Sequence, residues 1–145
     1  MSVETNMALV RRFFEEVVNA RRLDMLREIT APDYINHNLA TPNPGVEGMR
    51  QVIEMFVAGF PDLRVTLHDV IAEGDRVCTR GTMSGTQQGQ FLDMEPTGRP
   101  ISVEYIDIWR VEDGKLAENW VQIDLLGLKQ QLEPIEGGAP ILTSA

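Results

Sequence analysis

Tyr105, Asp107 and Trp109 alternate along "VEYIDIWRVEDGKLAENWVQID", residues 103–124, so the three side chains of the first run leave a strand on one side. A carboxylate flanked by aromatic rings on a half-apolar face loses hydration, which raises its pKa toward the range useful for proton transfer. Asp107 is therefore the candidate general base, with a hydrogen-bonded strand aspartate as the plain alternative. His37 is the second candidate proton carrier, because its ordinary pKa lies near neutrality; the alternative is a structural histidine. His68, between Leu67 and Asp69, is expected on an outer face without a role. Phe56, Phe60 and Trp109 are expected as core and pocket wall, since apolar stripes normally mean burial.

Other chemistries lack their residues. With two histidines and one cysteine, and neither an HExxH nor a CxxC pattern, no zinc site is expected, and the expected cofactor list is empty. No glycine-rich phosphate loop is present, and "GTMSG" at 81–85 holds its serine one position away from a nucleophile elbow. A net charge of −9 argues against nucleic acid and anionic membranes as partners. No segment reads as a signal or membrane span, so a cytoplasmic location is expected. Cys78, in an expected strand, reads as a buried, inert thiol.

The elements that must position Asp107 follow from periodicity. Met7, Val10, Phe14 and Val17 predict an amphipathic helix over 3–19, Leu23, Leu26 and Ile29 a shorter one over 22–30, and Met49, Val52, Ile53, Phe56, Val57 and Phe60 a third ending at Pro61. A short strand holding Tyr34, Asn36 and His37 is expected after the second helix. From residue 63 the period drops to two, and Gly74-Asp75 predicts a hairpin joining strands over 63–73 and 76–86, with Asp69 opposite Arg80. Residues 87–99 read as a loop whose Phe91, Leu92 and Met94 cover something apolar. The 103–124 hairpin follows, then a short helix over 125–132 with Asp124 as its N-cap, and a tail at 134–145 without periodicity. This order predicts one α+β domain over 1–145, a curved antiparallel sheet with helices on its concave side and a pocket between them.

Asp33-Tyr34-Ile35-Asn36-His37, Phe60-Pro61-Asp62-Leu63, Glu73-Gly74-Asp75-Arg76-Val77, Pro96-Thr97-Gly98-Arg99, Arg110, Asp113-Gly114-Lys115, Glu118, Trp120 and "DLLGLKQQL" at 124–132 stand in the order and spacing of a known family. On these residues the chain resembles the SnoaL-like polyketide cyclases of the nuclear transport factor 2-like superfamily. The resemblance implies a cone-shaped, cystatin-like α+β barrel with an apolar cavity, and cofactor-free ring closure of a polyketide ester by intramolecular aldol condensation. It places the family's acid/base aspartate at position 121, here Val121, its assisting histidine at 107, here Asp107, a glutamine at Tyr105 and a pocket asparagine at Asn36.

That mechanism needs positions 107 and 121 on one side. A three-residue loop, Glu112-Asp113-Gly114, meets this by pairing Val111 with Lys115, Asp107 with Asn119 and Tyr105 with Val121. A two-residue Asp-Gly turn would instead set Asp107 against Trp120. On the first register Tyr105, Asp107, Trp109, Asn119 and Val121 line the pocket, while Ile106, Ile108 and Trp120 form an outer apolar patch that predicts a homodimer. Three functions stay open: proton abstraction from a small apolar or aromatic carbonyl compound, with Asn36, Tyr105 or Asn119 donating to the enolate oxygen; a non-catalytic ligand-binding or dimerisation module; and epoxide-hydrolase-like water addition, which would want a second carboxylate and a bridging arginine.

Overall fold

The computed structural model describes residues 2–38, 41 and 43–133, and the tail expected at 134–145 lies outside them. Helix α1 (Val3–Arg12) starts at Ser2, whose hydroxyl accepts the Thr5 N–H at 3.1 Å. The chain continues without a break as a π-helical segment, Phe13–Asn19, where the expectation was one uninterrupted α-helix. Phe13, Phe14, Val17 and Val18 of this segment are all buried. The Ala20 N–H closes it on the Glu15 carbonyl, five residues back. The second helix is shorter than expected: a 3₁₀ turn, Leu23–Met25, leads into α2 (Leu26–Ile29). Pro32 forces the residue before it out of helical geometry, and strand β1 (Thr30–Asn36) has begun by then. Helix α3 (Gly45–Gly59) ends where the Phe60 N–H bonds the Phe56 carbonyl.

Strands β2 (Arg64–Glu73), β3 (Arg76–Thr86), β4 (Pro100–Glu112) and β5 (Lys115–Ile123) form an antiparallel meander, and α4 (Leu125–Leu132) follows. The sheet order is β1-β5-β4-β3-β2. Strand β1 runs parallel to β5, so the sheet is not purely antiparallel; α3 and the three intervening strands form the long connection that a parallel neighbour requires. The Gly74-Asp75 turn and the Asp69–Arg80 pair stand as expected, with Nε to Oδ2 at 2.7 Å. Asp124 caps α4 as expected, accepting the Gly127 N–H at 2.8 Å.

The β4–β5 hairpin differs from expectation in an instructive way. Its turn has two central residues: Glu112 pairs with Lys115, and Asp113 and Gly114 both take positive φ, 50° and 74°. Carried along the strands unchanged, that register would put Trp120 opposite Asp107. A bulge at Ala117 shifts it by one between the Val111–Leu116 and Arg110–Glu118 pairs. Asp107 therefore opposes Val121, Trp109 opposes Asn119 and Tyr105 opposes Ile123. The expected faces hold while the expected partners do not, because the extra residue sits in β5 instead of in the loop.

On the inner face, β3 contributes Val77, Thr79, Gly81 and Met83, all buried. Gly81 is required there: a Cβ would stand 2.6 Å from the Thr66 carbonyl oxygen and 2.7 Å from Cε1 of Tyr105, its partner on β4. Residues 87–99 fold back on α3. Phe91 and Met94 bridge each other and are buried, with Phe91 against Phe56 and Phe60 at 5.1 and 5.2 Å, whereas Leu92 is exposed. We expect Gly81→Ala to push the Tyr105 ring off β3 and to lower stability by about 1–3 kcal/mol in urea denaturation, the usual consequence of overpacking.

Candidate active site

Between the helices and the inner face lies a cavity of about 630 Å³, counting its open mouth. Phe13, Phe14 and Val18 of the first helix and Met49, Ile53 and Phe56 of α3 wall one side. The sheet presents Tyr105, Asp107, Trp109, Asn119 and Val121, with Asn36 from β1. Six strand residues and Phe56, expected at the site, are thus brought together. Phe60 is not among them; it is fully buried and packs on Phe91 behind the wall, one helical turn beyond Phe56. The 87–99 loop contributes no lining residue either, so its apolar residues plug the end of α3 and do not cover the cavity.

His37 lies on the opposite side of the sheet. Along β1 the side chains alternate, and Asn36 turns inward, so His37 turns out. Its ring stacks on Trp120, with centroids 4.6 Å apart and planes 4° from parallel, and Nε2 lies 2.6 Å from Oε2 of Glu118. Glu118 also accepts from Arg110 Nε, and the two partners, His37 first, hold its carboxyl below the usual range. The Arg76 guanidinium covers the Trp120 ring at 5.4 Å. His68 is exposed as expected, bonded to Thr82 Oγ1 at 2.7 Å. Cys78 is half-buried on this outer face instead of in the core, and burial pushes its thiol pKa up.

Among the described lining residues Asp107 alone is acidic, and none is cationic. Its side chain is 3 % exposed, and burial pushes its pKa up to about 7. The Thr79 hydrogen bond resists that rise first, and the nearby N–H groups of Trp109 and Asn119 help by favouring the ionised form. Thr79, opposite Asp107 on β3 and fully buried, donates its hydroxyl to Oδ1 at 2.5 Å. The Tyr105 hydroxyl lies 3.1 Å from the same Thr79 oxygen. With the Thr79 proton committed to the carboxylate, Tyr105 is the donor of that second bond. Burial also raises the Tyr105 and Tyr34 phenols well above their ordinary range, so both stay protonated. Asn119 Nδ2 donates to the Ile108 carbonyl at 3.2 Å, and Asn36 Nδ2 reaches the Tyr34 hydroxyl at 3.5 Å.

Thr79 is the site residue that sequence reading missed. Its signal was faint but present: a lone threonine on the buried side of the alternation Val77, Thr79, Gly81, Met83 wants a partner. Which partner depends on the β3–β4 register, and the 13 residues from Gln87 to Arg99 conceal it.

The chain resembles known proteins over almost its whole length. It is 29% identical over 138 residues to the aklanonic acid methyl ester cyclase DnrD of Streptomyces peucetius, covering 90% of this chain and 92% of that one. A second relative, the aklanonic acid methyl ester cyclase DauD of Streptomyces sp. strain C5, is 30% identical over 132 residues, 86% of this chain and 79% of its own. The structure of TsrD from Streptomyces laurentii superposes with a TM-score of 0.85 at 36% identity, covering 93% of this chain and 99% of that one. Residues 8–132 match the sequence profile of the SnoaL-like polyketide cyclases, and by that match, with the cone and its inner-face cavity, the chain belongs to this family.

Proposed function

We propose that this chain closes a ring in an uncharged polyketide-like ester or ketone by intramolecular aldol condensation, or catalyses a closely related proton abstraction beside a carbonyl, without metal or cofactor. The carrying observation is a lone buried carboxyl, Asp107, directly across β4–β5 from Val121. Directly opposed side chains in an antiparallel pair start ~5 Å apart, so a carboxylate at either position addresses the same cavity volume. The base of this family has changed strands here, from 121 to 107. Ionised Asp107 takes the proton from a carbon between two carbonyls. The resulting enolate carbon attacks a ketone of the same molecule, forming the carbon–carbon bond, and the new alkoxide recovers the proton from Asp107. Thr79, held by Tyr105, fixes the carboxyl's orientation throughout. The apolar walls and the lack of a cation among the described lining residues favour a substrate whose acid groups are masked, which agrees with relatives that act on a methyl ester.

The water-addition alternative finds neither its second carboxylate nor its arginine among the described lining residues. A non-catalytic module would bind a carbonyl compound without accelerating exchange at its acidic carbon.

On the outer face, Ile71, Cys78, Ile108 and Trp120 are successive cross-strand partners from β2 to β5, and Ile71 and Ile108 are 65 % and 41 % exposed. We infer that a second copy of the chain covers this row in a two-fold dimer. The row crosses the sheet beside Ile106, and one self-complementary patch can bury itself isologously.

Deuterium exchange at the acidic carbon of ethyl benzoylacetate tests the reaction. Wild-type activity should rise through a midpoint near pH 7, as Asp107 ionises. Asp107→Asn should lower the rate by ~10²–10⁴ with binding little changed; full retention would remove Asp107 as the base, and a wild-type rate equal to buffer would favour the non-catalytic reading. Because the folded Asp107 pKa lies above its unfolded value, the folded state holds the proton between about pH 4 and 7 and stability falls as pH rises through that window. The melting temperature of Asp107→Asn relative to wild type should accordingly climb from pH 4 to 7. Thr79→Val removes a bond that favours the ionised form, so the activity midpoint should move up by roughly one to two pH units, and Thr79→Ser should restore it. Sedimentation of Ile108→Glu should give a monomer where wild type is a dimer; two monomers or two dimers would refute the assigned face.

A further inference from the structure

We propose that the indole N–H of Trp109 is the donor that receives the substrate oxygen on which negative charge develops, an assignment that rests on the proton-abstraction reading of the cavity. Trp109 lines the cavity yet is 1 % exposed, and its Nε1 has no hydrogen-bond partner among the described residues. A buried donor left unmade is costly, and native structures keep few of them outside functional positions. The ring cannot turn to relieve it. Phe13 lies 4.8 Å away at 58°, Phe14 meets it edge-on at 6.2 Å and 83°, and Tyr34 sits at 6.4 Å.

The neighbouring polar groups each hold a protein partner. Thr79 bonds Asp107 and Tyr105, Asn119 Nδ2 bonds the Ile108 carbonyl, and Asn36 bonds Tyr34 and the Asn38 N–H. Trp109 Nε1 stands near enough to Asp107 to favour its ionised form while falling outside hydrogen-bond geometry. A carbonyl oxygen accepting from Nε1 therefore brings the adjacent carbon, two bonds away, toward the Asp107 carboxyl. As the proton leaves that carbon, charge moves onto the oxygen, where a fixed, desolvated N–H binds it more strongly than it bound the neutral carbonyl. The arrangement suits a 1,3-dicarbonyl, with one oxygen on Trp109 and the acidic carbon between it and the second carbonyl.

Trp109 and Trp120 are the two tryptophans of the chain, so Trp120→Phe, altered on the outer face, leaves the Trp109 indole as the single indole resonance in a ¹⁵N–¹H spectrum. Titration with 1-naphthol, a fused-ring mimic of an enol, should move that proton downfield, and naphthalene should not. An unmoved resonance at the highest soluble 1-naphthol concentration, or an equal response to both compounds, overturns the assignment. In ethyl benzoylacetate exchange, Trp109→Phe should lower the high-pH plateau by roughly 10²-fold, with the midpoint moving only slightly upward. A shifted midpoint under an unchanged plateau would show that the N–H serves Asp107 and not the substrate. The spectral arm needs no turnover: a downfield indole in a protein that exchanges nothing would sink the proton-abstraction reading and leave Trp109 only as a donor to a bound ligand's oxygen, while active exchange with a silent indole would sink this assignment alone.

Discussion

Burying a single carboxyl group in an apolar cavity is the constraint around which the inner face is arranged. An isolated ionised aspartate there would be strongly disfavoured, and a fully hydrogen-bonded one would be too weak a base. The structure lies between these limits. Desolvation carries the Asp107 pKa to about 7, and Thr79, with help from Trp109 and Asn119, keeps it from rising further. Thr79 reaches Oδ1 because β3 and β4 pair residue 79 with residue 107, and Tyr105 reaches Thr79 because Gly81 leaves room for its ring. Each of these contacts crosses the β3–β4 ladder, so the proposed chemistry depends on a register that two consecutive inner-face positions of β3, Thr79 and Gly81, share.

The two faces of the sheet divide the polar residues by task. Inside, one carboxyl faces aromatic rings and aliphatic walls with no compensating cation among the described lining residues. Outside, charges are paired: Asp69 and Glu104 with Arg80, Glu112 and Glu118 with Arg110, and Glu118 with His37. Surface pairs of this kind contribute modestly to stability. The same residue types thus have different chemistry on either side of one layer of backbone. Positions 107 and 121 both point inward and face each other, so a base at 107 in place of one at 121, as proposed, would preserve this division.

Local sequence determined much of this protein. Period-two alternation and two glycine-containing turns fixed the meander, i+3 and i+4 spacing fixed α3, and the flanking of Asp107 by Tyr105 and Trp109 marked the carboxyl whose hydration would be lost. The Asp124 cap and the Asp69–Arg80 pair were legible for the same reason, since each lies within a few residues of the turn or helix end that sets it.

What the tertiary structure decided are the matters of parity and long-range register. Asp113-Gly114 permits a two- or a three-residue loop, and nothing in the hairpin's own sequence announces that the compensating residue is a bulge at Ala117. The side of the sheet taken by His37 depends on the parallel pairing of β1 with β5, a contact between strands about 80 residues apart in the chain whose register no local turn fixes. The π-helical turn at Phe13–Asn19 was not legible for a related reason: Phe13, Phe14, Val17 and Val18, all buried, would share one face of an α-helix equally well, so local periodicity does not distinguish the two. Thr79 became a site residue by the same logic: its hydroxyl needed a buried partner, and only the pairing of β3 with β4 across an intervening loop supplied Asp107.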